Sequence, residues 1–199
     1  HLNFIREGAK FDTEAQNRYK ELVMKLAELT TVFAQNILAD EGEYRLYIKS
    51  TELGGLPEDL IESLKQIATE NKDKGNGDDV TDYCCSLSRS VVDPFLTYST
   101  NRNLRKTIWK AWTNRGQLDM EKRDNAKVIN DILALRTEQA TMHGYTSYAD
   151  FSTDDSMAKT SGAVMDLLLR VWEPAKASCL REQTAIETHI AEHHSEDGI

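Results

Sequence analysis

Five residues near the end of this 199-residue sequence have the types and spacing of a metal-dependent hydrolytic centre: His189-Ile190-Ala191-Glu192-His193. The form H-x-x-E-H is the inverted zinc-peptidase pattern. On a helix, positions four apart share a face, and two imidazoles on one face can hold one zinc ion. Glu192 could then polarise a water. The competing reading is a solvated polar helix end. Glu187 and His194 stand beside the pattern, no further helix follows within the 199 residues to offer a third ligand, and terminal turns fray. We take this second reading and assign no catalytic, cofactor-binding or metal-binding residue in the sequence.

Other residues with chemical potential have structural readings. His143 closes a predicted helix, where an imidazolium would favour the helix dipole. Cys179 falls on an apolar stripe and reads as a small core residue. Arg136 and Glu138 lie on an inner helix, and Arg136 is expected to pair with a buried carboxylate such as Asp124 or Asp150. Asp73, Asn76 and Asp78 hint at a calcium loop. The EF-hand spacing fails, however, with Cys84 where the bidentate Glu belongs, so residues 71–79 read as a solvated turn. No G-x-S-x-G, G-x-G-x-x-G or Walker pattern occurs.

The elements that would position these residues are helical. Thr13-Glu14-Ala15-Gln16 has the form of a capping box. Tyr19, Leu22, Val23, Leu26, Leu29, Phe33 and Ile37 follow at helical spacing, and Gly42 is expected to end this first helix. Pro57 is placed to start a second helix, with Leu60, Ile61, Leu64, Ile67 and Ala68 on its stripe. Residues 80–87 form the one strand candidate, with Tyr83, Cys85 and Leu87 on one face. Asp93-Pro94 reads as the cap and first position of a short helix. Helices are then expected over 101–118, 122–143, 145–151 and 161–195, with Gly144 just past the end of the second of these. The last would span roughly 50 Å at about 1.5 Å per residue and should kink at Pro174. Its stripe (Val164, Leu168, Val171, Trp172, Ala175, Cys179) thins to Ile186 and Ile190. It reads either as a frayed terminal helix or as a surface awaiting a partner.

Composition narrows the class. A net charge of −9 repels phosphate backbones and argues against a nucleic-acid partner. No apolar run is expected to approach the roughly 20 residues of a membrane span. Three cysteines, two of them adjacent, do not make a disulfide framework, and no N-glycosylation sequon occurs, so a cytoplasmic setting is expected. The start His1-Leu2-Asn3-Phe4 has no secretory signal pattern and looks like a cut or cloning boundary.

The whole chain resembles the thimet oligopeptidase family of zinc metallopeptidases, and within it the dipeptidyl carboxypeptidase (peptidyl-dipeptidase) branch. The signal begins at Arg6-Glu7-Gly8-Ala9 and continues through residues 29–38, Leu53-Gly54-Gly55-Leu56-Pro57 and Asn103-Leu104-Arg105. It strengthens at Ala111-Trp112-Thr113-Asn114-Arg115. It peaks at Arg136-x-x-Gln139-Ala140, Gly144-Tyr145-x-x-Tyr148-Ala149-Asp150 and Met157-Ala158-Lys159-Thr160. The resemblance implies an all-α, two-lobed fold around a narrow channel that admits short unstructured peptides. It also implies a zinc ion held by an H-E-x-x-H helix and a later Glu, with release of C-terminal dipeptides. No H-E-x-x-H occurs in the 199 residues. The expectation is therefore a multi-helix, partial catalytic-region fragment over 1–199, with one short strand or hairpin at most. It would form a channel wall, be inactive without the missing C-terminal catalytic half, and hold zinc only as part of the full-length protein. The alternative is a standalone helical interaction module without catalysis.

Overall fold

The protein is seen here in a computed structural model, which describes residues 1–71 and 82–193. Among them are eight helices and one two-stranded sheet. The helices are α1 (Leu2–Arg6), α2 (Thr13–Glu43), α3 (Glu58–Glu70), α4 (Arg89–Tyr98), α5 (Arg102–Thr113), α6 (Asn125–Met142), α7 (Tyr148–Thr153) and α8 (Ser161–His193). Strands β1 (Leu46–Ile48) and β2 (Tyr83–Cys85) pair antiparallel, with Leu46 opposite Cys85 and Ile48 opposite Tyr83. The mostly helical class expected from the periodicity is what forms. The candidate calcium residues Asp73, Asn76 and Asp78 lie outside the described residues.

The chain divides into two compact units, and the division falls inside α2 and α6. One unit comprises His1–Tyr19 and Arg136–Ile199, the other Lys20–Leu135. In the second unit, α3, α4 and α5 close over the sheet. Leu64, Leu87, Val92, Phe95 and Ile108 are fully buried there beside Ile48 and Cys85. β2 buries both of its faces: Cys84 and Cys85 are each inaccessible, so the single inward face expected from Tyr83, Cys85 and Leu87 is incomplete. Burial raises both thiols, Cys85 to about 12, which makes them packing groups rather than nucleophiles.

Several element ends differ from the sequence reading. Asp12, not Thr13, caps α2: its carboxylate accepts the Ala15 N–H at 2.9 Å and its carbonyl accepts the Gln16 N–H at 2.8 Å. An anion at a helix N-terminus adds the dipole term to the hydrogen bond. Gly42 does not end α2, which continues to Glu43. Pro57 stands at the N-cap of α3, one place before the expected position. Pro94 lies inside α4, which begins at Arg89 and not at Asp93. An interior proline costs about 3 kcal/mol, while burying Val91, Val92 and Phe95 contributes about 1.5–3 kcal/mol each, so the helix persists. α8 likewise continues through Pro174.

One helix, α2, is long enough to cross a membrane and carries an 18-residue window of mean hydropathy 1.2. That stretch also carries the Lys25–Glu28 ion pair, and Asn36 donates to the side-chain oxygen of Asn125 at 2.8 Å. The first of these bonds lies within α2, and the second joins α2 to the start of α6.

Candidate functional site

The H-x-x-E-H pattern forms the last turn of α8. His189 and His193 do share a face: their rings stack with centroids 4.3 Å apart, 23° from parallel. His193 Nδ1 lies 3.0 Å from the His189 carbonyl. The turn is exposed, and His194 lies outside the described residues. Among the described residues no group of three or more His, Cys, Asp or Glu side chains is placed to hold a metal ion. A hydrolytic zinc site takes at least three protein ligands, and this turn supplies two candidates among the described residues, His189 and His193.

The residues of the 135–161 block build a different object. Gly144, at φ +80°, ends α6. The Tyr145 N–H reaches the Ala140 carbonyl and the Gly144 N–H reaches the Thr141 carbonyl, both at 2.9 Å. That pair of bonds is the Schellman arrangement, and only glycine takes its left-handed position without strain. Ser147 then caps α7, accepting the Asp150 N–H at 3.1 Å. The Asp150 carboxylate accepts the hydroxyls of Ser161, Ser147 and Thr146, and these bonds hold its pKa below the usual range. Asp150 therefore ties α7 to the start of α8 and is not the partner of Arg136. Arg136 lies 5.1 Å over the Tyr148 ring, and Asp124 caps α6 through the Ala126 and Lys127 N–H groups. The expected Arg136–carboxylate pair does not form. Glu138 pairs instead with Arg18 through two bonds of 2.6 and 2.8 Å.

His143 sits at the expected helix end but does not serve as a cation for the dipole. Its ring is enclosed by Phe11 (4.8 Å), Tyr19 (5.2 Å, edge-on) and Phe151 (5.0 Å, stacked). Its Nε2 is buried without a hydrogen-bond partner. Desolvation, and secondarily the nearby Arg6 guanidinium, push its pKa below 6.5. The neutral ring completes an aromatic cluster that α1 closes. Arg6 donates to the Phe151 carbonyl at 2.7 Å, lies 4.0 Å over the Phe151 ring and pairs with Asp155 at 3.4 Å. Tyr19 bridges Arg6 and Gln139, donating to the Arg6 carbonyl at 2.8 Å and accepting from Gln139 at 3.0 Å.

A pH dependence follows from this ring. Above pH 6.5 the folded and unfolded rings are both neutral, and the contribution of His143 to stability is complete. As pH falls below 6.5, the unfolded chain takes up a proton that the folded ring resists, so stability declines until the folded-state pKa is passed. Thermal melts of wild type and His143→Phe at pH 7.5 and 5 test this. The variant is expected to lose this component of the pH slope and to be no less stable than wild type at pH 7.5. An identical slope in both proteins would exclude the mechanism.

The sequence reading missed a second cluster, at the C-terminal end of α2. Asp40 is 1 % exposed. Its carboxylate accepts the Gly116 N–H at 2.7 Å, the Leu118 N–H at 3.0 Å and Arg123 Nε at 2.8 Å. Arg123 also grips Glu43 through two bonds of 3.0 and 2.6 Å, which hold the Glu43 carboxyl low. Arg115 pairs with Glu41 and lies 3.3 Å over the Trp112 ring. Asn125, buried at the start of α6, donates to the Phe33 carbonyl at 3.1 Å, and its N–H reaches the Gly116 carbonyl at 3.1 Å. Every charge in this cluster has a partner inside the same unit. The arrangement fixes the 114–124 loop.

These buried pairs use the Trp112–Arg115 and Asp124–Asn125 motifs, and the aromatic cluster uses the Arg136–Lys159 block. The family description Peptidase family M3 matches residues 95–197, just over half of the chain. The chain belongs to peptidase family M3. It is 34 % identical over 178 residues to oligopeptidase A of Haemophilus influenzae, a match covering 87 % of this chain and 25 % of that protein. It is 32 % identical over 170 residues to oligopeptidase A of Escherichia coli, covering 83 % of this chain and 24 % of that protein. To the dipeptidyl carboxypeptidase of Escherichia coli it is 27 % identical over 196 residues, covering 96 % of this chain and 27 % of that protein. The chain thus spans about a quarter of the length of the curated relatives it matches. The preference for the dipeptidyl carboxypeptidase branch does not carry through at that resolution, because identity is higher to the bacterial oligopeptidase A proteins. M3 peptidases are zinc-dependent, and the described residues of this M3 chain do not provide the donor set that zinc requires.

Proposed function

We propose that this chain is one section of a zinc-dependent M3 oligopeptidase acting on short, unstructured peptides, to which it contributes scaffold and channel-wall helices rather than catalytic groups. One observation carries the reading: an M3 chain spanning a quarter of its relatives contains no H-E-x-x-H in any of its 199 residues. The polar groups that are buried serve structure, as Asp40 and Asn125 do. Three free cysteines agree with a reducing, cytoplasmic location. Cleavage of oligopeptides is the first reading, on the higher identity to the two bacterial oligopeptidase A proteins. Release of C-terminal dipeptides is the second reading, favoured by the near-complete coverage of this chain in the dipeptidyl carboxypeptidase match.

The purified 199-residue chain with added zinc should not turn over a quenched peptide. Turnover abolished by His189→Ala would overturn the scaffold assignment and favour the inverted motif. The encoded reading frame separates a section from a standalone interaction module: an H-E-x-x-H downstream supports the former, and a stop directly after Ile199 the latter. For the longer polypeptide, peptides with free and amidated C-termini distinguish the two activities. An internal endopeptidase should cleave both, and a dipeptidyl carboxypeptidase only the free form.

A further inference from the structure

None of the 33 residues of α8 is buried. Leu168 is 55 % and Trp172 58 % exposed, and Leu167, Leu169 and Val171 are similarly open. At 100° per residue, the apolar positions from Val164 to Trp172 cover an arc of roughly 200°. A helix on a protein surface typically carries an apolar stripe somewhat over 100° wide, so this half of α8 calls for cover on two sides. Beyond Pro174 the larger apolar side chains Cys179, Ile186 and Ile190 fall on a line of roughly 40°, with Leu180 outside it. That is the footprint of a single packed neighbour.

We propose that the occupant of this face is the remaining length of the same peptidase polypeptide, seated on two sides of α8 before Pro174 and on one side after it. The inference rests on the reading of the chain as a section of a longer M3 peptidase. Two observations select this occupant over a second copy of the chain. α8 lies inside the stretch that matches the family, so the helix is part of the M3 section and not an appendage to it. A symmetric helix pair also covers one seam on each helix, and the 200° arc exceeds one seam. The relatives supply the length, since the matched stretch is 25 % of the Haemophilus protein.

Cys179 is a built-in reporter. It is the exposed thiol on the narrow line, while Cys84 and Cys85 are buried in β2. In the 199-residue chain it should react with a thiol reagent at the rate of a free cysteine, independent of protein concentration. In the native full-length polypeptide the reaction should slow by at least about 100-fold and recover on denaturation. Leu168→Asp and Trp172→Asp should lower the melting temperature of the full-length polypeptide and leave that of the 199-residue chain unchanged. Equal labelling rates in the two proteins, or unchanged full-length melting in both variants, would overturn the inference. So would protection that grows with concentration of the short chain, which marks a second copy as the occupant, or a frame that stops at Ile199. Peptidase activity of the full-length protein with Cys179 open sinks this inference and leaves the functional reading standing. Protection of Cys179 in a polypeptide that cleaves no peptide does the reverse.

Discussion

Asp40→Ala is expected to lower the unfolding free energy of the 199-residue chain by about 3–5 kcal/mol in urea titrations, the range found when one partner of a buried ion pair is removed. The carboxylate is inaccessible and receives three N–H groups. Truncation strips the Gly116 and Leu118 N–H groups of their acceptor and removes one of the two carboxylates that Arg123 holds. Each unsatisfied buried donor costs about 1–3 kcal/mol, so the buried Gly116 amide and the partly buried Leu118 amide account for part of this range. Asp40→Asn separates charge from volume. It fills the same space but turns an NH2 group toward donors, so most of the loss should persist. If packing alone mattered, the asparagine variant would behave as wild type. Glu43→Gln changes the exposed partner of the same arginine and should cost a small fraction of the Asp40 effect. A loss below about 1 kcal/mol for Asp40→Ala would show that the loop at 114–124 is held by something else.

Asp40 also shows where the sequence stops being legible. Phe33, Ile37 and Asp40 continue one helical stripe, so the carboxylate stands at a core position. A polar residue there reads as the end of the stripe, unless an arginine some eighty positions away is already known to reach it. The long helices α2, α6 and α8 were legible because many repeats of one period outvote any single residue. β1 and α1 were not: three and five residues carry too little pattern, and long-range pairing decides them. Gly144 was legible because its helix end needs a left-handed residue, a local requirement. The surroundings of His143 were not, because Phe11 and Phe151 flank it only after folding. The shared face of His189 and His193 was legible from spacing alone, but a metal centre is a meeting of several chain segments, and spacing within one helix supplies only two ligands.

Phe151→Ala is the second substitution expected to have a large effect, about 3–5 kcal/mol by the usual cost of truncating a buried aromatic side chain. Phe151 is 5 % exposed. Its ring stacks on His143 at 5.0 Å, meets Tyr145 edge-on at 5.5 Å and carries the Arg6 guanidinium 4.0 Å above it. Arg6 also holds the Phe151 carbonyl, a bond the substitution leaves chemically intact. The loss should therefore come from the cavity and the ring contacts, and Phe151→Leu, which restores most of the apolar volume, should recover the larger part of it. Hydrogen exchange locates the effect: amides of α7 and of the last turns of α6 should lose protection first, because Tyr145 and His143 lean on this ring. The His143 pH dependence provides an independent check. Opening the cluster to water lifts the desolvation that keeps the imidazole neutral, so in Phe151→Ala the His143 pKa should move back up toward 6.5 and the acid-side loss of stability should shrink. An NMR titration of the His143 ring that is identical in wild type and Phe151→Ala would rule out desolvation by this cluster as the cause.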